Sequence, residues 1–182
     1  TEYATVQAAV DNAKSGDTIE LLQNASSNRV TVPADKTLTL NLGGNTLTMN
    51  LGFDWPISVH GADHNVAIVN NGQLTIENGS IVAGSGGDEG VLNRGTLTIA
   101  NGTAISCTST VASKGYVAIN DNGALTTSGA LTSAAGNGIV TFGGTVNISG
   151  GSISAAAKNH AAIDIFSSNY AADGEGADVT IS

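Results

Sequence analysis

Basic and aromatic side chains are both scarce in this chain. Six Lys and Arg stand against 15 Asp and Glu in 182 residues, a net charge of −9, and aromatics are only 4%. A nucleic-acid binder needs cations in quantity to neutralise phosphates, so that class is excluded. Charged residues make up 12%, well under the roughly 25% of an ordinary globular chain. Cys107 stands alone, which rules out an internal disulfide framework. No apolar run approaches the roughly 18 residues of a membrane helix, so membrane insertion is not expected. No basic-then-apolar leader opens the chain, and the expectation is a mature or trimmed form. Disorder is excluded too, because hydrophobic residues reach 41% and β-branched residues are plentiful.

Glycine, threonine, asparagine and serine fill the gap, at 24, 20, 18 and 17 residues. That composition points to a β protein exported from the cell, so the expected location is extracellular, secreted or at the cell surface.

The main signal is an internal repeat. Residues 72–81 read GQLTIENGSI, 95–105 GTLTIANGTAI, 123–131 GALTTSGAL and 144–153 GTVNISGGSI. Leu74, Leu97, Leu125 and Val146 are equivalent, as are Ile76, Ile99, Thr127 and Ile148. A fifth copy runs from Gly176 to Ile181 with one inserted residue. Each copy follows another short β-type run, such as Val66–Val69 or Ile139–Phe142. The equivalent Leu and Val positions are 23, 28, 21 and 33 residues apart. Within a strand the side chains alternate, so Leu74 and Ile76 point one way and Thr75 the other. Three short strands per repeat of a little over twenty residues predict a parallel solenoid, because one coil cannot bury its own aliphatics and a stack can. Gly79, Gly102, Gly129 and Gly151 fall where the chain turns a corner, and Asn78 and Asn101 before two of them are expected to stack as an amide ladder. Cys107 shares the parity of Ile105 and is expected in the core. Long loops are expected between Ala83 and Gly90, Thr108 and Gly115, and Ser154 and Ala177.

The N-terminal stretch differs. Tyr3, Val6, Ala9, Val10 and Ala13 lie three to four apart, a helical spacing that ends at Ser15-Gly16-Asp17. A helix laid over the end of a solenoid protects its open edge and its apolar interior. The chain stops in mid-pattern at Val179-Thr180-Ile181-Ser182, and the expectation is that further coils or domains follow in the parent protein.

The string Val6-Gln7-Ala8-Ala9-Val10-Asp11-Asn12-Ala13-Lys14-Ser15-Gly16-Asp17-Thr18-Ile19-Glu20-Leu21 resembles the entry segment of right-handed parallel β-helix proteins of the pectate-lyase-like superfamily. Thr37–Asn45, a strand ending in Gly-Gly-Asn, is similar to the next step. The Gly-Thr-Leu-Thr-Ile and Asn-Gly-Thr coils look like the non-catalytic, adhesive branch on Gram-positive surface proteins. The resemblance implies an all-β fold, a right-handed single-stranded parallel β-helix with a short N-terminal capping α-helix. It implies one domain over 1–182, with the cap in 1–16 and coils in 17–182.

Lyases of that superfamily need clustered carboxylates for Ca²⁺ and a basic residue to abstract a proton, and its hydrolases need paired aspartates. Arg is only Arg29 and Arg94, and Lys only Lys14, Lys36, Lys114 and Lys158. No Asp-Asp, Asn-Thr-Asp, Gly-His-Gly or Arg-x-Lys occurs. The balance leans away from an enzyme, and no cofactor is expected. Trp55, His60, Asp63 and His64 crowd one stretch and form the candidate ligand site: an aromatic plate for a sugar face, with imidazole and carboxylate beside it. The bland reading is a decorated loop whose Trp packs on the first coils. Asp173, Glu175 and Asp178 form a candidate Ca²⁺ site without the EF-hand pattern. Asp88-Glu89 in a Gly-rich loop offers carboxylates to a cation, but two adjacent carboxylates read more simply as a solvated turn. Thr75, Thr98 and Thr126 would form an outward ladder; such arrays can bind ice, but threonine is also the ordinary outer residue of a strand. The functional expectation is a module for adhesion or display, toward a glycan or protein on a host or neighbouring cell. The alternative is a carbohydrate-active enzyme or its carbohydrate-binding module.

Overall fold

The computed structural model describes residues 1–51, 56–84, 88–110, 115–166 and 176–182. After helix α1 (Val6–Asn12) the chain winds through six coils of three strands. The first holds β1 (Thr18–Glu20), β2 (Ala25–Ser27) and β3 (Val30–Val32). The second holds β4 (Thr37–Asn41) and β5 (Thr46–Met49), then an inserted strand β6 (Ile57–Val59), then β7 (Ala62–Asn70). The third is β8 (Gln73–Glu77), β9 (Gly79–Ala83) and β10 (Asp88–Asn93), and the fourth β11 (Thr96–Ile99), β12 (Thr103–Cys107) and β13 (Ala118–Asn120). The fifth is β14 (Ala124–Thr127), β15 (Ala130–Ser133) and β16 (Ile139–Thr141), and the sixth β17 (Thr145–Ile148), β18 (Ser152–Ala155) and β19 (Ile163–Ile165). Strand β20 (Asp178–Ile181) opens a seventh.

Equivalent strands pair in parallel to make three sheets, in the orders β1-β4-β8-β11-β14-β17-β20, β2-β5-β9-β12-β15-β18 and β3-β7-β10-β13-β16-β19. The fold is therefore a parallel β-solenoid with one short N-terminal helix. Register follows the repeat. Leu38, Leu74, Leu97, Leu125, Val146 and Val179 are neighbours in one column of the first sheet. Leu47, Ile81, Ile105, Leu131 and Ile153 form a column in the second. Val30, Ile68, Val91, Ala118, Ile139 and Ile163 form one in the third. All of these belong to or pack on one core. Cys107 joins it, as expected.

Strict alternation fails in the third sheet. Ala67 and Ile68 both face the interior, as do Val117 and Ala118. The kink passes through Gly90, where a Cβ would lie 2.2 Å from the Val117 carbonyl oxygen. In the middle coils this leaves Val66 and Val69, and then Leu92, Ile119 and Val140, packed outside the interior.

An amide ladder exists, but not at Asn78 and Asn101, which are exposed. It runs inside the corner between the third and first sheets. Asn70 Nδ2 donates to Asn93 Oδ1 at 2.8 Å and Asn93 Nδ2 to Asn120 Oδ1 at 2.8 Å, with all three residues fully buried. Asn120 Nδ2 ends the run on the carbonyls of Gly123 and Gly143, each at 3.0 Å. The preceding coil has Val32 at the ladder position. It offers no donor, and Asn70 Oδ1 has no hydrogen-bond partner among the described residues. The first glycine of each repeat stands beside this ladder for reasons of space: a Cβ on Gly95 would meet Gly72 O at 2.0 Å. Gly129 also answers to space rather than left-handed φ, because its Cβ would sit 2.7 Å from Thr103 O.

Helix α1 closes the first end. Thr5 Oγ1 accepts from Ala8 N at 3.1 Å as an N-cap. Val6, Ala9 and Val10 are its buried face. Gln7 mimics a strand: its Oε1 accepts from Thr31 N at 2.7 Å and its Nε2 donates to Thr31 O at 3.2 Å, covering the free edge of β3. Lys36 Nζ donates to the carbonyls of Val10 and Asp11 at the helix C-terminus. No helix among the described residues is long and apolar enough to cross a membrane.

Candidate functional site

The chemistry-bearing side chains gather on the outer face of the third sheet. The insertion between β5 and β7 makes this possible. Strand β6 pairs antiparallel with the start of β7, with Val59 opposite Ala62. That leaves His60-Gly61 as a two-residue turn with φ of 49° and 83°, the hairpin geometry that suits strand twist. The hairpin packs on a second apolar cluster outside the solenoid: Val59, Val66, Val69, Leu92, Ile119, Val140 and Phe142. Val69, Leu92, Ile119 and Val140 are the outward column of that sheet.

The hairpin is held at both ends by histidine–carboxylate pairs. At its tip, His60 Nε2 lies 3.0 Å from Asp121 Oδ1. Arg94 Nε donates to the other oxygen, Oδ2, at 2.8 Å, and Arg94 Nη2 donates to Ser58 O at 3.3 Å. At its base, His64 Nδ1 lies 2.7 Å from Glu89 Oε1, with side-chain exposures of 10% and 0%. Glu89 Oε2 has no hydrogen-bond partner among the described residues. Tyr116 stands beside this pair, its ring centroid 6.0 Å from that of His64. Burial, reinforced by the charges of Glu89 and Asp164, pushes its phenol above the ordinary 10.0. Farther along, Asn137 Nδ2 donates to Asp164 Oδ2 at 2.8 Å, and Asn137 Oδ1 contacts His160 Nδ1 at 3.0 Å.

Aromatic rings continue the line from the tip. The His60 and Phe142 ring centroids are 4.5 Å apart, and Phe142 stacks on Phe166 at 4.8 Å and 23°. Phe166 is 37% exposed. Arg94, Asp121, Phe142 and Phe166 are one repeat position: each directly follows the last residue of its coil's third-sheet strand. The sequence carries that signal, although none of these four was among the candidates.

The candidate residues therefore separate. His60 and His64 sit on one hairpin but engage different carboxylates. Asp63 is exposed beside them, opposite Ser58. Trp55 lies outside the described residues, as do Asp173 and Glu175. Asp178 is exposed at the start of β20, paired in register with Thr145 of the first sheet. Among the described residues no group of three or more His, Cys, Asp and Glu is placed to hold a metal ion. Glu89, expected in a solvated turn, is a fully buried strand residue. The hairpin arriving from residues 57–64 is what covers it.

Two clefts of about 400 and 840 Å³ lie at the N-terminal end, and neither is lined by these side chains. The outer face of the first sheet is different again. Thr39, Thr75, Thr98 and Thr126 run across it in register as an uncovered hydroxyl column. Comparison with family models, with curated proteins and with solved structures finds no match.

Proposed function

We propose that this chain is a non-catalytic module of a secreted or wall-anchored bacterial surface protein, related to the adhesive branch of the pectate-lyase-like β-helices. Its task is to hold a glycan or protein of a host or neighbouring cell. Stacked coils give a stiff rod, and its faces and corners carry the contacts. The observation that carries the reading is the corner line of His60, Arg94, Asp121, Phe142 and Phe166. An exposed ring on a rigid edge suits the apolar face of a sugar, and the neighbouring imidazole, guanidinium and carboxylate suit its hydroxyls. The same ionisable groups are already tied to one another, which favours holding a ligand over exchanging protons with one.

Glycan-array binding combined with a polysaccharide turnover assay tests this. Retention without product is the expected result, with Phe166→Ala and Trp55→Ala each weakening it. Release of unsaturated uronates or new reducing ends would overturn it in favour of a carbohydrate-active enzyme.

A further inference from the structure

Five asparagines in the chain are followed by glycine: Asn71, Asn78, Asn101, Asn122 and Asn137. Such a pair can lose its side-chain amide when the glycine nitrogen attacks Cγ, since no Cβ hinders the approach. In a folded chain the outcome depends on whether that nitrogen can reach the carbon.

Four of the pairs lie in more confined surroundings. Asn137 is buried, and its Oδ1 is taken by His160 Nδ1 and the Ala161 amide. Gly72 is wedged against backbone: a Cβ there would lie 2.3 Å from Pro33 O. Gly123 is as tightly enclosed, 2.4 Å by the same measure from the Asn93 side chain, and Asn122 Nδ2 donates to Asp121 Oδ1. Gly79 is enclosed at 2.5 Å by Asn45 O, and Asn78 Nδ2 reaches Asn41 Oδ1.

Asn101 differs. It and Gly102 are both exposed, and nothing lies within 4 Å of the Gly102 Cβ position. The Gly102 N–H donates to the Oδ1 of Asn101 itself at 2.9 Å. Cγ is bonded to that oxygen, so the contact brings the nucleophile toward the carbon that it must attack. A turn closed by Thr103 N donating to Ala100 O at 3.2 Å keeps it there.

We propose that Asn101 is a self-modification site, converting to aspartate and isoaspartate through a succinimide while the protein is folded. The Gly102 nitrogen gives up its proton to solvent base and forms a bond to Cγ. The Cγ–Nδ2 bond breaks, and Nδ2 leaves as ammonia with a proton from water. Water then opens the ring. Cleavage at Cγ gives aspartate, and cleavage at the main-chain carbonyl gives isoaspartate, whose backbone runs through the former side chain. No electron transfer is involved. Either product adds a negative charge at the exposed corner between β11 and β12, and isoaspartate also lengthens that corner.

Trypsin would release residues 95–114 between Arg94 and Lys114, and Asn101 is the only asparagine in that peptide. The full chain is incubated at mildly alkaline pH, digested, and followed by mass spectrometry for a gain of about 1 Da. A parallel sample is held in urea. In the folded chain peptide 95–114 should gain mass several-fold faster than the peptides carrying the other four pairs, and in urea the rates should converge. Asn101→Gln should abolish the gain. Equal rates in the folded chain, the same preference with and without urea, or a gain that persists in Asn101→Gln would each overturn the proposal.

Discussion

The first and third sheets have the same parallel pairing and nearly the same strand count, yet their outer faces have opposite fates. The first presents Thr39, Thr75, Thr98 and Thr126 on an uncovered outer face. The third presents Val69, Leu92, Ile119 and Val140, and the hairpin of β6 and β7 folds back to cover them. A solenoid needs only its inward side chains to stack. What stands outside is free to vary, and an aliphatic column there creates a second core that needs a lid. The lid brings two histidines, and these meet carboxylates from later coils.

Several substitutions would break or sharpen that contrast. The largest effect belongs to the shared interior. Ile99→Asp buries an unpaired carboxylate and should cost several kcal/mol, enough to abolish the folding transition in circular dichroism. Thr98→Asp, one residue away and outward, should stay within about 0.5 kcal/mol; equal losses would mean the inward and outward faces are misassigned. Next comes the second core. Leu92→Ala should cost about 2–4 kcal/mol in urea denaturation, against little for Thr75→Ala on the uncovered sheet. A small loss at Leu92 would show that the hairpin is not a true lid. The amide ladder ranks third. Asn93→Ala leaves both neighbouring amides short of a partner and should cost about 2 kcal/mol, more than Asn70→Ala, whose oxygen is already unpaired. The smallest effect is a titration. The native Tyr116 phenol keeps its proton past the ordinary value of 10.0, whereas the unfolded chain releases it there. Native protein then binds more protons than unfolded, so stability falls as pH rises above about 10. Tyr116→Phe should remove that part of the slope, and ultraviolet titration should lose one tyrosine ionisation above the ordinary value of 10.0.

The first sheet was legible in the sequence because its Gly-x-Leu-x-Ile segments alternate cleanly between core and solvent. The third was less so. Its kink at Gly90 and Val117 breaks the period, and its outward aliphatics look the same as inward ones until the hairpin is in place. Asn70, Asn93 and Asn120 each precede a repeat glycine by two or three residues, a recurrence visible in the sequence. A buried asparagine, however, has the signature of a turn residue, and the ladder was expected instead at Asn78 and Asn101, which face water. Glu89 was read as solvated for the same reason: its burial depends on a segment some thirty residues earlier. Of the candidate site, His60 and His64 were visible as a cluster. Their partners Asp121 and Glu89 were not, because the pairing is made by coil stacking and hairpin placement.

Dipolar spin-label distances on the uncovered sheet test the stacked register most directly. In a Cys107→Ser background, Thr39→Cys would be combined in turn with Thr75→Cys, Thr98→Cys and Thr126→Cys. The separation should grow by one strand spacing, about 4.8 Å, with each successive partner. Distances that fail to rise in that order, or that jump by more than one spacing between neighbours, would contradict it.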